Sequence, residues 1–238
     1  MSELLHGIDA VTFDFFNTLV FHREGHGRGA AVTRYLAEQG IEAAPWRHEV
    51  LYEIFDGYDR VGAPSASPDA RRKCRLTVAE RLFRSLEVSG GPHEAERHAT
   101  PLWKRLGPEC LAVFSDVRET LDALRAAGYP LVIISNWPHG LGHFCAELGL
   151  LEHFDAVFCS AEVGAAKPDP RIFAAAVAHL GVAPERILHV GDTVVDDYEG
   201  GRAAGLRTVL LERGSGTADR VEHVIRGLDE LTAGLQRP

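Results

Sequence analysis

Read for the spacing of apolar and polar positions, the chain changes character twice. Residues 10–15 (Ala-Val-Thr-Phe-Asp-Phe) form a short apolar run with a β-branched bias and predict a buried strand. From Phe21 to about Gly107 no further β-rich run occurs. After a Gly-rich loop over 22–29, apolar residues recur at helical spacing over roughly 30–39, 46–57, 70–88 and 93–105, with turn chemistry between them at 40–45, 62–69 and 89–92. From Asp116 onward helix and strand alternate. Helices are predicted over 117–127, 139–149, 170–180, 196–204 and 220–234, and strands over 131–135, 156–160, 187–191 and 207–211.

Strands that are apolar throughout and alternate with helices specify a parallel sheet covered on both faces. The strand at 10–15 must join that sheet, because a single strand cannot stand alone. The expected architecture is therefore α/β: a doubly wound, Rossmann-like core made of residues 1–21 and 107–238, with an α-helical insertion over 22–106.

Composition narrows the function classes. The chain of 238 residues is 45% hydrophobic and 25% charged, as expected of a globular protein with a real core. Its 34 acidic against 25 basic residues give a net charge of −9, which argues against nucleic acid as a main partner. No apolar run approaches the ~18–20 residues of a membrane span. The first residues lack the basic and apolar regions of a signal peptide. Cys74, Cys110, Cys145 and Cys159 are scattered without a C-x-x-C pair, which suits free thiols in a reducing cytoplasm.

Ligands of such sheets bind beyond the carboxyl ends of the strands, so the residues there carry the candidate chemistry. Asp14 ends the first strand and can attack an electrophilic centre. Ser135 and Asn136 end the 131–135 strand and offer hydroxyl and amide donors to an anionic group. Lys167, stiffened by the prolines of Lys-Pro-Asp-Pro, supplies a fixed positive charge. Asp192, with Asp196 or Asp197 one turn on, makes an oxygen-rich site for a hard dication such as Mg2+. Asp14, Asp192 and a third aspartate would crowd three negative charges around one lysine, a conflict that a dication relieves.

These residues fall in four motifs, FDFFNTL (13–19), IISN (133–136), AKPDPRIF (166–173) and HVGDTVVDDYEGGRAAG (189–205). In this order the chain resembles the haloacid dehalogenase superfamily of hydrolases, over residues 8–21 and about 110–215, with the insertion where that family carries a helical cap. The resemblance implies a nucleophilic Asp14, a charge-stabilising Lys167, and substrate binding by Thr18, Ser135, Asn136 and Lys167. It also implies a Mg2+ held by Asp14, the main-chain carbonyl of Phe16 and Asp192, with Asp197, favoured over Asp196, in or near the outer sphere. The implied substrate is a small anionic molecule.

One position departs from the pattern. Phosphatases of this family carry a second aspartate two residues after the nucleophile, and here that residue is Phe16, which cannot protonate a leaving group. Hydrolysis of a small phosphorylated metabolite remains the leading expectation. The leaving group would then be activated, or an acid would come from the cap, with His22, His48 or Asp56 as candidates. A 2-haloacid dehalogenase, with Arg47 as a halide-binding candidate, and a non-catalytic ligand-binding protein are the alternatives. The pairs His22/His26 and His139/His143 lack a third metal ligand. The basic run Arg71-Arg72-Lys73 with Arg75 suits a solvated helix face.

Overall fold

The computed structural model describes residues 3–24, 27–45, 54, 68–214 and 221–233. Six parallel strands form the main sheet: β1 (Ala10–Phe13), β4 (Leu131–Ser135), β5 (Ala156–Cys159), β6 (Ile187–Gly191), β7 (Arg207–Leu211) and β8 (Val224–Ile225), in the order β5-β4-β1-β6-β7-β8. The order reverses at β1, so the carboxyl ends of β1, β4 and β6 face one crevice. This is the doubly wound α/β architecture.

Alternation along the strands sorts the core into two layers. Val11, Phe13, Leu131 and Ile133 pack on one face with Leu121 and Leu124 of the helix Val117–Ala126 and Cys145 of the helix Leu141–Glu147. Ala10, Val132 and Ile134 pack on the other with Ile172, Phe173 and Ala176 of the helix Pro170–Leu180. Each large apolar side chain buried in this way contributes about 1.5–3 kcal/mol. Between residues 28 and 110, the helices Arg28–Glu38, Pro68–Ser85 and Gly91–Lys104 enclose an apolar cluster of their own, including Leu36, Leu82, Phe83 and Leu102.

Four expectations need correction. The range from Phe21 to about Gly107 is not wholly free of strand: β2 (Val20–His22) reaches into its start and pairs antiparallel with β3 (Leu111–Val113) just beyond its end, where the helical segment leaves and re-enters the sheet unit. The first strand stops at Phe13, although the Asp14 amide still donates to the Val190 carbonyl at 2.8 Å. The helix expected over 196–204 begins earlier, as a wide π turn over Val194–Glu199 that passes into Gly200–Ala203. The helix expected over 220–234 is reduced, in the described part of that range, to Asp229–Thr232. Val224 and Ile225, both β-branched, extend the sheet instead beside β7, with the Leu210 amide donating to the His223 carbonyl at 2.9 Å and the Glu212 amide to the Ile225 carbonyl at 2.8 Å. Among the described residues no helix is long and apolar enough to cross a membrane. Of the helix expected over 46–57 only Ile54, helical and buried, lies within the described residues.

Candidate active site

Asp14 emerges where β1 ends, between the ends of β4 and β6, and is only 6% exposed. Its Oδ1 accepts from Ser135 Oγ at 3.0 Å and from Lys167 Nζ at 2.6 Å. The same ammonium donates to Asp197 Oδ1 at 2.5 Å. Asp14, Asp192 and Asp197 each offer an oxygen within 4.8 Å of the others. The predicted nucleophile, lysine, serine and acids therefore meet in one place.

Close approach of the chain makes this possible. A Cβ on Gly191 would lie 2.2 Å from Asp197 Cγ, so only glycine admits the aspartate there. Asn17 adopts a left-handed φ of 61°, the conformation that asparagine tolerates best after glycine. It closes a tight turn in which its amide donates to the Val20 carbonyl at 2.7 Å. Thr18 is fully buried in that turn with no partner for its Oγ1 among the described residues, and its carbonyl accepts from Arg213 Nη2 at 3.0 Å.

Electrostatically the site holds more negative charge than its one ammonium can balance. Burial pushes the Asp14 carboxyl up; Lys167 opposes that and Asp197 adds to it. Burial, then Asp14 and Asp197, raise Asp192 to about 8. Asp197 goes the other way: burial would raise it, but Lys167 and His189 hold it below the usual carboxylate range. For Lys167, burial disfavours the charge, yet the two aspartates hold its pKa above the ordinary lysine value.

The donor set fits a hard cation, being all carboxylate oxygen and short of positive charge. The ligands can be assigned further. Asp197 is already well supplied, since Oδ1 accepts from Lys167 and lies 3.1 Å from His189 Nε2, while Oδ2 accepts from Thr193 N at 3.0 Å and Thr193 Oγ1 at 2.6 Å. Asp14 and Asp192 are thus the direct carboxylate ligands available. Asp196, the competing acid, lies outside this trio, with Oδ2 3.4 Å from Asn136 Nδ2. Asn136 is less open to a substrate than expected. Its Oδ1 accepts from the Lys167 amide at 2.7 Å and its Nδ2 donates to the Lys167 carbonyl at 3.0 Å, so it holds the lysine segment in place.

Phe16 is half-buried, its ring centroid 4.6 Å from that of His22 and 6.5 Å from that of Trp137. His22 thus lies beside the place where an acid is missing, whereas His26, Arg47, His48 and Asp56 fall outside the described residues. His139 lies 3.9 Å from Glu162, and His143 rests edge-on against Phe144. Arg72 is exposed and pairs with Glu96 on the surface. Cys110, Cys145 and Cys159 are free and buried. Sequence reasoning missed Thr12, His189 and Thr193, which form a chain from Thr12 Oγ1 through His189 (2.9 Å) to Asp197. The single polar letter inside Ile-Leu-His-Val-Gly was the available signal.

The profile of a family described as haloacid dehalogenase-like hydrolase matches residues 8–205. A Mus musculus protein described as haloacid dehalogenase-like hydrolase domain-containing protein 3 is 37% identical over 237 residues, 97% of this chain and 82% of that one. Its Danio rerio counterpart is 40% identical over 134 residues, 55% of either chain. A phosphoserine phosphatase from Thermus thermophilus is 37% identical over 80% of each chain, and an (S)-2-haloacid dehalogenase from a Pseudomonas species 31% over 94% of each. Among solved structures, a 2-haloacid dehalogenase from Pseudomonas syringae superposes with a TM-score of 0.70 at 26% identity, covering 95% of this chain and 97% of that one.

Proposed function

The chain belongs to the haloacid dehalogenase-like hydrolase family, and from that premise we propose that it hydrolyses small phosphate monoesters in a Mg2+-dependent reaction with Asp14 as nucleophile. Asp14 is held by Ser135 and Lys167, and its carboxylate attacks phosphorus. The P–O bond to the leaving group breaks as an aspartyl phosphate forms. Water then attacks that phosphorus, releases inorganic phosphate and restores the carboxylate. Lys167 offsets the charge gathered on the phosphoryl oxygens, and the buried Thr18 hydroxyl offers them a donor. A bound Mg2+ would neutralise phosphoryl charge between Asp14 and Asp192. Thr193 and His189 hold Asp197, and Asp197 in turn aims the Lys167 ammonium at Asp14.

The observation that carries this reading is the convergence of Asp14, Asp192 and Asp197 within 4.8 Å around a single lysine. The phosphatase among the relatives supports it. A phosphate-ester panel with Mg2+ and with a chelator tests it: turnover is expected with the metal and lost with the chelator. A second reading, 2-haloacid dehalogenation, is favoured by the neighbouring rings of Phe16 and Trp137, two residues after Asp14 and Ser135 respectively, and by the dehalogenase relative. Halide release from a 2-haloacid that survives chelation would establish that reading in place of ours. We place the protein in the cytoplasm, acting on a small anionic substrate.

A further inference from the structure

On the phosphoryl-transfer reading above, we propose that the preferred substrates are aryl phosphates, with the leaving aromatic ring seated on the face formed by Phe16 and His22. Two independent observations meet there. The first is chemical. Phe16 stands two residues after the nucleophile and has no proton to give. An alkyl leaving group must depart as an alkoxide, whose conjugate acid is nearly as weak as water at about 15.7. A phenoxide departs from a conjugate acid near 10, the ordinary tyrosine value, and so needs far less help from an acid.

The second observation is geometric. Phe16 and His22 are half-buried rings tilted at 55° with centroids 4.6 Å apart, one on the turn after the nucleophile and the other on β2. Trp137, 3% exposed, lies 6.5 Å from Phe16 and packs edge-on against Phe15 at 5.2 Å and Phe144 at 5.3 Å. The buried rings fix the wall, and the half-buried pair presents it. Rings of this kind favour a further aromatic ring in offset or edge-on contact. Arg28, the first residue of the helix Arg28–Glu38, carries its guanidinium over the Trp137 ring at 5.1 Å. That sets a positive charge against the Trp137 ring, which touches the same wall through Phe16. An aromatic surface at the acid's place therefore selects the leaving groups that do not need the acid.

The test is a leaving-group series on the full chain with Mg2+: substituted phenyl phosphates, glycerol phosphate, and acetyl phosphate as an activated ester without a ring. The expected result is a steep fall of kcat/KM as the leaving-group pKa rises, with glycerol phosphate about 10²-fold or more below phenyl phosphate, the scale of a missing general acid. Phe16→Leu keeps the site apolar and removes the ring. It is expected to lower the preference for phenyl over acetyl phosphate by about 2- to 10-fold, the worth of one aromatic contact. His22→Leu should lower the same ratio in the same direction, and melting curves establish that both variants are folded. Glycerol phosphate turned over within tenfold of phenyl phosphate would overturn the proposal, because a proton would then be reaching the leaving oxygen. An unchanged phenyl-to-acetyl ratio in both folded variants would overturn it too. Silence on every ester, with metal and without, would instead refute the phosphoryl reading beneath it.

Discussion

Lys167 lies with its ammonium 2.6 Å from Asp14 Oδ1, buried to 2% exposure on its own side and 8% on the aspartate's. The same ammonium also reaches Asp197, so one positive charge serves two buried carboxylates and cannot be removed quietly. Lys167→Met is expected to destabilise the protein by about 3–5 kcal/mol, the cost of leaving buried charge unpaired. Turnover should fall by about 10²–10³, as when one donor of a charge-stabilising site is lost. Denaturant titration and steady-state kinetics of the same preparation check both. A variant as stable as the wild type would show that the carboxylates are neutral in the folded state.

Asp192 has the opposite character. It is raised to about 8 by burial and by its two neighbouring aspartates, so in the absence of metal its ionised form is disfavoured. Asp192→Asn is expected to leave the metal-free protein as stable as the wild type or more so, while weakening Mg2+ binding at least about tenfold through loss of a direct carboxylate ligand. Melting in a chelator and calorimetric Mg2+ titration measure the two effects. Unaltered Mg2+ affinity would remove Asp192 from the metal site.

Arg213 ties the catalytic turn to the β2–β3 pair. Its guanidinium grips both oxygens of Asp116 at 3.0 Å, donates to the Thr18 carbonyl at 3.0 Å and lies over the Phe114 ring at 3.8 Å. The Phe114 amide in turn donates to the Leu19 carbonyl at 3.1 Å. Arg213→Ala is expected to cost about 1.5–3 kcal/mol and to speed hydrogen exchange at the Phe114 amide. Arg213→Lys should recover little, since an ammonium cannot reproduce the planar fork. Exchange at Phe114 equal to that of the wild type would show that the turn is held by other contacts.

The strands around the site were legible because each is buried on both faces and therefore written in apolar letters. Leu131–Ser135, Ile187–Gly191 and Arg207–Leu211 begin and end where that pattern does. The site was legible for the same reason, since Asp14 and Asp192 are the first charged letters after such runs. What was not legible is what depends on distant pairing. Val20–His22 is three residues long and is a strand only because Leu111–Val113 lies beside it. Val224–Ile225 is drawn into the sheet by the open edge of β7 against a helix-like spacing. The role of Asn136 was hidden too, because its partner is the main chain of Lys167, 31 residues on.

Burial pushes the thiols of Cys145 and Cys159 up to about 12. The unfolded thiols titrate near 8.5, so between those values the unfolded chain binds fewer protons and stability from these groups declines as pH rises. Below about pH 8 both forms are protonated and the contribution is constant. A thiol reagent at pH 8 is therefore expected to label these two cysteines only at the rate of unfolding. Rapid labelling of either one in the native protein would contradict its burial.

The central claim is that Asp14 carries the transferred phosphoryl group, and mass spectrometry of the quenched reaction tests it most directly. Wild-type protein mixed with phenyl phosphate and Mg2+ and quenched in acid during turnover is expected to show the mass of one added phosphoryl group on the peptide bearing Asp14. Asp14→Asn, folded by its melting curve, should show neither adduct nor turnover, because the amide is a poor nucleophile of nearly the same shape. Phosphate release by the Asp14→Asn protein at more than a few per cent of the wild-type rate would contradict the account.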